Sequence, residues 1–403
     1  MVSEQSSGKQ LRITNEVRAY QREWIEKTRQ RVSEGEPFAI CNGDDCEEIL
    51  NVMDIPVIVI NYWHAIITTK RMADYYLDIL RERDYPATVF SMGLAVTMDN
   101  KPDVAPWGGL PKPSIIIGGA RQDTEMRIME LWAREYGCIF WPMEFALYHG
   151  VEKAPPPGWF ERMRDHWDEF VDPQKLDYRV QEQEKLIRYL EVSTGKKFSL
   201  EKLTEAMQLV NEQMDYWRMA RDLIAKTSPS PVTLRDQLSM YQTTWHRGTP
   251  QGRDFLKAYY EEVKERVENS VAACPEEKIR LMWVNALGTP PLWGRWAEEK
   301  YGAVCVTHNY MGIAVDCYAR TIQNNDPLRT LAARYMLLFW TTPDWIAAQA
   351  KHSNCKAAVM VGGRRSIMAF EKAGIPLATI PSERDDEATR AALSDFIETR
   401  LLA

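Results

Sequence analysis

With 403 residues, 45% hydrophobic and 27% charged, and a formal net charge of −7, the chain is long enough for two hydrophobic cores with connecting helices. Acidic and basic residues are mixed along it, which argues against nucleic acid or an anionic membrane as a partner. The opening MVSEQSSGKQLRITNE has no apolar core of the kind a signal peptide needs, and no stretch approaches about 18 uninterrupted apolar residues, so a cytoplasmic location is expected.

In chain order, short β-rich runs alternate with helical patterns: FAICN at 38–42, PVIVI at 56–60, ATVF at 87–90, SIIIG at 114–118 and CIFW at 138–141. Strands spaced by helices predict a parallel sheet covered on both faces. Residues 172–272 carry almost no strand signal. After Ser199, which stands where an N-cap would, Leu200, Leu203, Met207, Val210, Met214 and Trp217 recur at spacings of three and four, one face of an amphipathic helix. The turn-rich TSPSPV at 227–232 interrupts this block. A second β-rich set follows, with RLMWVNAL from 280, AVCVT at 303–307, AAVMV at 357–361 and IPLATI at 375–380. The organisation expected is an N-terminal helical segment (1–34), a first α/β domain (35–171), a helical connector (172–272) and a second α/β domain (273–403).

Seven cysteines, at 41, 46, 138, 274, 305, 317 and 355, form no C-x-x-C pair, which argues against a disulfide framework and against a zinc site. Cys41 and Cys46, in CNGDDC, read as unrelated thiols near a strand end.

The most informative local feature occurs twice. SIIIGGARQDTEMRIMELW and AAVMVGGRRSIMAFEKAG each run from a strand through Gly-Gly to arginine and a helix. Gly118-Gly119 and Gly362-Gly363 permit positive φ and close backbone approach, so the first amides of each helix can turn toward a ligand. Arg121, Arg364 and Arg365 then stand at the carboxyl ends of parallel strands, where open α/β sheets bind ligands, and a carboxylate or phosphate would suit them. Gln122, Asp123 and Ser366 complete the two candidate anion-binding loops. Solvated arginines beside tight turns are the plainer reading. Neither loop fits a P-loop or a G-x-G-x-x-G fingerprint.

Further segments add up to a pattern: EEILNVMDIPVIVI, LEVSTGKKFSLEKLTEAMQLVNE with a following PSP, GTPP after RLMWVNAL, and NNDPLRTLAARY. In this order and spacing they resemble the subunits of 2-hydroxyacyl-CoA dehydratases and class I benzoyl-CoA reductases, and APWGGLPKPSIIIG with NDPLRTLA leans toward the reductases. The resemblance implies two flavodoxin-like α/β domains per subunit, a heterodimer or heterotetramer of related subunits, acyl-CoA in the cleft between domains, and low-potential electron chemistry. It also implies three cysteine thiolates on a 4Fe-4S cluster. In this chain those positions fall near Val89, Asp123 and Ser366, and none is a cysteine. Aspartate, valine and serine cannot replace deprotonated sulfur at fixed geometry, so no cluster and no other metal is expected on this chain, coenzyme A entering only as part of the substrate.

Lacking electrons, such a chain could still run a dehydration, hydration or other proton-transfer lyase reaction on an aromatic or dicarboxylic acyl-CoA. His64, Glu144 and His308 are the strand-end candidates for acid–base work, although a strand-end histidine is more often a hydrogen-bonded structural residue. The alternative is a non-catalytic partner of a subunit that holds the 4Fe-4S cluster; a regulatory CoA-binding protein is a third reading. Trp63, Trp107 and Trp141 lie near expected loop ends and could line an aromatic pocket.

Overall fold

The computed structural model describes residues 10–41, 46–88, 91–99, 101–119, 123–143, 158–284, 296–337, 342–361, 364–382 and 384–403. The apolar, β-branched runs form two sheets. In the first, β1 (Ala39–Cys41), β2 (Val57–Val59), β3 (Ile115–Gly119) and β4 (Ile139–Met143) pair in the order β2-β1-β3-β4, every pair parallel. In the second, β5 (Ile279–Val284), β6 (Ala303–His308), β7 (Ala357–Val361) and β8 (Leu377–Ile380) pair in the order β6-β5-β7-β8, again all parallel. The strand order is thus the same in both, and the α/β class expected from the alternating runs is the class observed.

One expected strand does not appear among the described residues. Ala87 and Thr88 of ATVF are not in a strand, and residues 89–90 lie outside the described residues. Pro86 precedes a turn in which the Ser91 hydroxyl accepts from the Thr88 amide at 2.9 Å and the Ser91 amide donates to the Thr88 carbonyl at 3.0 Å. That local bonding opens a helix and takes the backbone groups a sheet ladder would need.

The helices follow in order. α1 (Arg12–Ser33) precedes the first sheet; α2 (Glu47–Val52) follows β1; α3 (Ile60–Thr69), α4 (Ala73–Glu82) and α5 (Met92–Asp99) lie between β2 and β3; α6 (Asp123–Tyr136) joins β3 to β4. Between the sheets come α7 (Trp159–Arg162), α8 (Pro173–Thr194), α9 (Leu200–Lys226), α10 (Leu234–Tyr241) and α11 (Pro250–Glu268). The second half contributes α12 (Trp296–Tyr301), α13 (Asn309–Asp316), α14 (Pro327–Leu337), α15 (Pro343–His352), α16 (Arg364–Ala373) and α17 (Glu387–Phe396).

α9 forms as its sequence dictates. The Ser199 hydroxyl accepts from the Lys202 amide at 3.2 Å, and Leu203, Met207, Val210, Met214 and Trp217 are buried along one face. Each such side chain, fully buried, stabilises by about 1.5–3 kcal/mol. Leu200, the first residue of the stripe, is instead exposed, because it lies in the helix's opening turn before the packed face begins. The connector is bonded to both sheets: Trp245 donates its indole N–H to the Val57 carbonyl of β2 at 3.0 Å, and Gln237 of α10 donates to the Val306 carbonyl of β6 at 2.8 Å. α14 packs back on α8 and α9. Among the described residues no helix is long and apolar enough to cross a membrane, and none of the seven cysteines is in a disulfide.

Candidate functional site

In a parallel sheet the ligand crevice opens where the chain leaves two neighbouring strands in opposite directions. With the order β2-β1-β3-β4, that point lies between the carboxyl ends of β1 and β3; in the second sheet it lies between β5 and β7. The first Gly-Gly pair ends β3, and the second follows β7 in sequence. Each candidate loop therefore springs from the switch point of its own sheet, which the sequence could not reveal without the strand order.

Gly118 is part of β3, opposite Pro142, and does not use a positive φ. Packing there is tight, since an added Cβ would lie 3.0 Å from the Phe140 ring and 3.4 Å from the Met126 sulfur, and the ring would have to shift by a few tenths of an ångström. Gly119 ends the strand opposite Met143. Arg121, Gln122, Gly362 and Gly363 lie outside the described residues, as do Val89 and Glu144. Asp123 opens α6, is exposed, and pairs with Arg127 one turn on at 3.0 Å. Arg364, Arg365 and Ser366 form the first turn of α16. The carboxylates of Asp385 and Asp386 are both engaged elsewhere: Asp385 takes Arg390 at 2.5 and 2.9 Å, and Asp386 caps α17 by accepting from the Thr389 amide at 2.8 Å.

Both candidate histidines hold structural hydrogen bonds. His64, buried in α3, accepts from the Gly93 amide at Nε2, 3.2 Å away, and burial pushes its pKa down to about 3. It is neutral at physiological pH. His308, wholly buried at the end of β6, caps α13 by accepting from the Tyr310 amide at Nδ1 (3.0 Å), and its ring stacks on Tyr310. Of the three tryptophans, Trp63 and Trp107 meet edge to face at 6.1 Å, while Trp141 on the edge strand β4 lies against Tyr189 of α8 at 5.0 Å.

A network that the sequence reading missed lies beside the first switch point. Glu47 and Glu48 open α2, six and seven residues after Cys41 ends β1, and both are buried. Arg247, following the 3-10 segment Gln242–His246, reaches Glu47 at 2.8 Å and Glu48 at 3.4 Å. Arg334 of α14 meets Glu48 at 2.5 Å, and Tyr335 donates its hydroxyl to Glu48 at 2.6 Å and to Glu47 at 3.2 Å. The Arg247 guanidinium also lies over the Tyr318 ring, 4.2 Å from its centroid. Burial alone would raise the Glu48 carboxyl; the charges of Arg334 and Arg247, with hydrogen bonds from Arg334 and Tyr335, outweigh it and bring the pKa down to about 2. Glu48 is thus an ionised anchor between the two halves of the chain, unsuited to hold or release a proton at neutral pH.

Comparison with known proteins fits this geometry. The model of the family described as 2-hydroxyglutaryl-CoA dehydratase, D-component, matches residues 46–399. The chain belongs to this family. The match opens at Cys46, directly before Glu47, and takes in both halves of the ion network as well as both sheets' switch-point helices. The (R)-2-hydroxyisocaproyl-CoA dehydratase alpha subunit of Clostridioides difficile is 30% identical over 114 residues, a stretch covering 28% of this chain and 28% of that relative. The similarity to that protein thus spans under a third of its length.

Proposed function

We propose that this chain is a subunit of an acyl-CoA-processing complex of the dehydratase type and that it works without an iron–sulfur cluster of its own. The observation that carries the reading is the chemistry at the two loop-helix junctions. Where the family resemblance calls for thiolates, Asp123 stands at the head of α6, exposed and ion-paired with Arg127, and Ser366 stands in the first turn of α16. Among the described residues no group of three or more His, Cys, Asp and Glu is arranged to hold a metal ion. The donors do not suit a 4Fe-4S cluster.

Such a chain must use proton chemistry. Its base can remove only a proton made acidic by the thioester carbonyl, the one on the carbon next to it. The electron pair of that C–H bond becomes the new C=C bond, and a hydroxyl on the following carbon leaves as water once an acid has protonated it. The arginines Arg121, Arg364 and Arg365 would hold an anionic end of the acyl-CoA, a second carboxylate or a CoA phosphate, and helix amides at the switch points would polarise the carbonyl. Glu144, directly after β4, is the candidate for proton transfer. A related family subunit is the proposed partner, in a heterodimer or heterotetramer, and the compartment proposed is the cytoplasm.

A second reading, a non-catalytic partner of a cluster-bearing subunit, draws on the hydrogen bonds that fix His64 and His308. Anaerobic purification with the native partner, followed by iron and acid-labile sulfide analysis of each separated chain, tests the cluster-free claim: about four irons per copy of this chain would refute it. Glu144→Gln in the intact complex separates the two readings. A fall in kcat of about a hundredfold or more supports proton transfer on this chain, and an unchanged kcat supports the scaffold.

A further inference from the structure

We propose that Arg320 binds a small two-oxygen anion, a carboxylate in its simplest form, in the interior between α9 and the segment that links α13 to α14. Arg320 is 1% exposed. Its backbone is fixed on both sides by one residue of α9: the Arg320 amide donates to the Asn211 side-chain oxygen at 2.9 Å, and the Asn211 side-chain amide donates to the Arg320 carbonyl at 2.8 Å.

Only one of its nitrogens has a protein partner among the described residues. Nη1 donates to the carbonyls of Ala319 at 2.6 Å and Asp316 at 3.4 Å. Nε and Nη2 are buried and meet no acceptor. These two N–H groups lie parallel on one edge of the planar guanidinium, the fork that takes the two oxygens of a carboxylate side by side. Among the described residues no carboxylate fills the fork. Asp316, the nearest in sequence, accepts at Oδ2 from Trp345 at 2.8 Å and Gln349 at 3.0 Å, with Arg221 at 3.9 Å from Oδ1.

Electrostatics point the same way. Burial is the largest influence and pulls the Arg320 pKa down to about 9; Cys317 and Asp316 push it up, and Arg334 pushes it further down. Arg334 cannot lend its own carboxylate, because Glu48 is already bonded to Arg334, Arg247 and Tyr335. A buried guanidinium with two N–H groups unmet is among the costlier arrangements in a protein interior, whereas a bound anion would supply the two missing acceptors and further charge.

The test is thermal denaturation of the full chain, with its partner where one is needed, titrated with sodium formate at constant ionic strength against sodium fluoride. Wild type is expected to show a saturable formate-specific rise in Tm. Arg320→Met removes the fork and should abolish the rise. Should Arg320→Met fail to fold, Arg320→Lys keeps the charge without the fork and should move half-saturation about tenfold higher. Absence of a saturable rise in wild type, or an equal rise with equal half-saturation in Arg320→Lys, overturns the proposal. The source of the carboxylate is read by calorimetry with succinyl-CoA as probe. A Kd weakened about tenfold both by saturating formate and by Arg320→Lys supports the acyl group's own carboxylate as occupant, and an unchanged Kd beside a positive formate result supports a free anion.

Discussion

Glu48→Gln tests whether the buried ion network joins the two halves of the molecule. The substitution keeps size and shape while removing the charge that faces Arg334 at 2.5 Å and Arg247 at 3.4 Å. Its magnitude can be reached by two routes. A carboxyl that titrates at about 2 instead of near 4.5 is worth ~3 kcal/mol of folding free energy at neutral pH, at about 1.4 kcal/mol per pH unit. Breaking a buried ion pair by removing one partner costs about 3–5 kcal/mol, because the other charge is left uncompensated. Both give a loss of roughly 3 kcal/mol. The sign follows from the depressed folded-state pKa: the contribution is complete above the unfolded value near 4.5 and is lost as pH falls through the folded value near 2. The gap between wild type and Glu48→Gln should therefore be constant from pH 8 to 6 and shrink by about half on reaching pH 3. Urea denaturation followed by tryptophan fluorescence is the assay, with the slope m checked for equality before midpoints are compared. A variant within ~1 kcal/mol of wild type at pH 7, or a gap that does not narrow toward pH 3, would refute the reasoning.

Three other outcomes follow from the same geometry. Arg364→Ala or Arg365→Ala should weaken acyl-CoA binding about ten- to a hundredfold in calorimetry while leaving Tm nearly unchanged, since each charge-assisted hydrogen bond lost is worth roughly 1.5–3 kcal/mol; lysine should rescue only in part. Gly302→Ala should lower stability by at least ~2 kcal/mol in urea, because Gly302 has φ +65° and an added Cβ would lie 2.5 Å from the Glu276 carbonyl oxygen. Gly374→Ala is its control: φ is +70° but the space is open, so only the backbone strain of about 1 kcal/mol should appear.

Much of the fold was legible because it rests on local patterns. SIIIGG and AAVMV are apolar runs ended by glycine, and each became a strand buried in the middle of its sheet. The stripe after Ser199 became α9, with its cap where the serine stands. Ala87 and Thr88, the described half of ATVF, are not in a strand for an equally local reason, since Pro86 and the Thr88–Ser91 bonds favour a turn that composition alone does not disclose. The site was legible only in outline. Glycine and arginine mark a loop that can face an anion, yet only the order of the strands tells that both loops leave a switch point. The histidines were legible as residues near strand ends, but whether such a ring faces a cleft or a backbone amide depends on partners like Gly93 and Tyr310 that the tertiary fold supplies.

The ion network shows what a single sequence withholds. Glu47 and Glu48, read locally, are acidic residues in the first turn of a short helix, where carboxylates are ordinarily solvated and favoured by the helix dipole. They are buried only because Arg247 and α14 close over them, from about two hundred and almost three hundred residues further along the chain. Yet the segments that carried the family resemblance, EEILNVMDIPVIVI and NNDPLRTLAARY, hold Glu47, Glu48, Arg334 and Tyr335 between them. The two signatures are the halves of one contact. Since α2 follows β1 at the first switch point and α14 belongs to the second half, sliding one sheet past the other would pull Glu48 away from Arg334 inside the protein, where neither charge could be solvated. The same pair that costs desolvation to build thus resists relative displacement of the two sheets' switch points, and the two-sided acyl-thioester site proposed above would require that resistance.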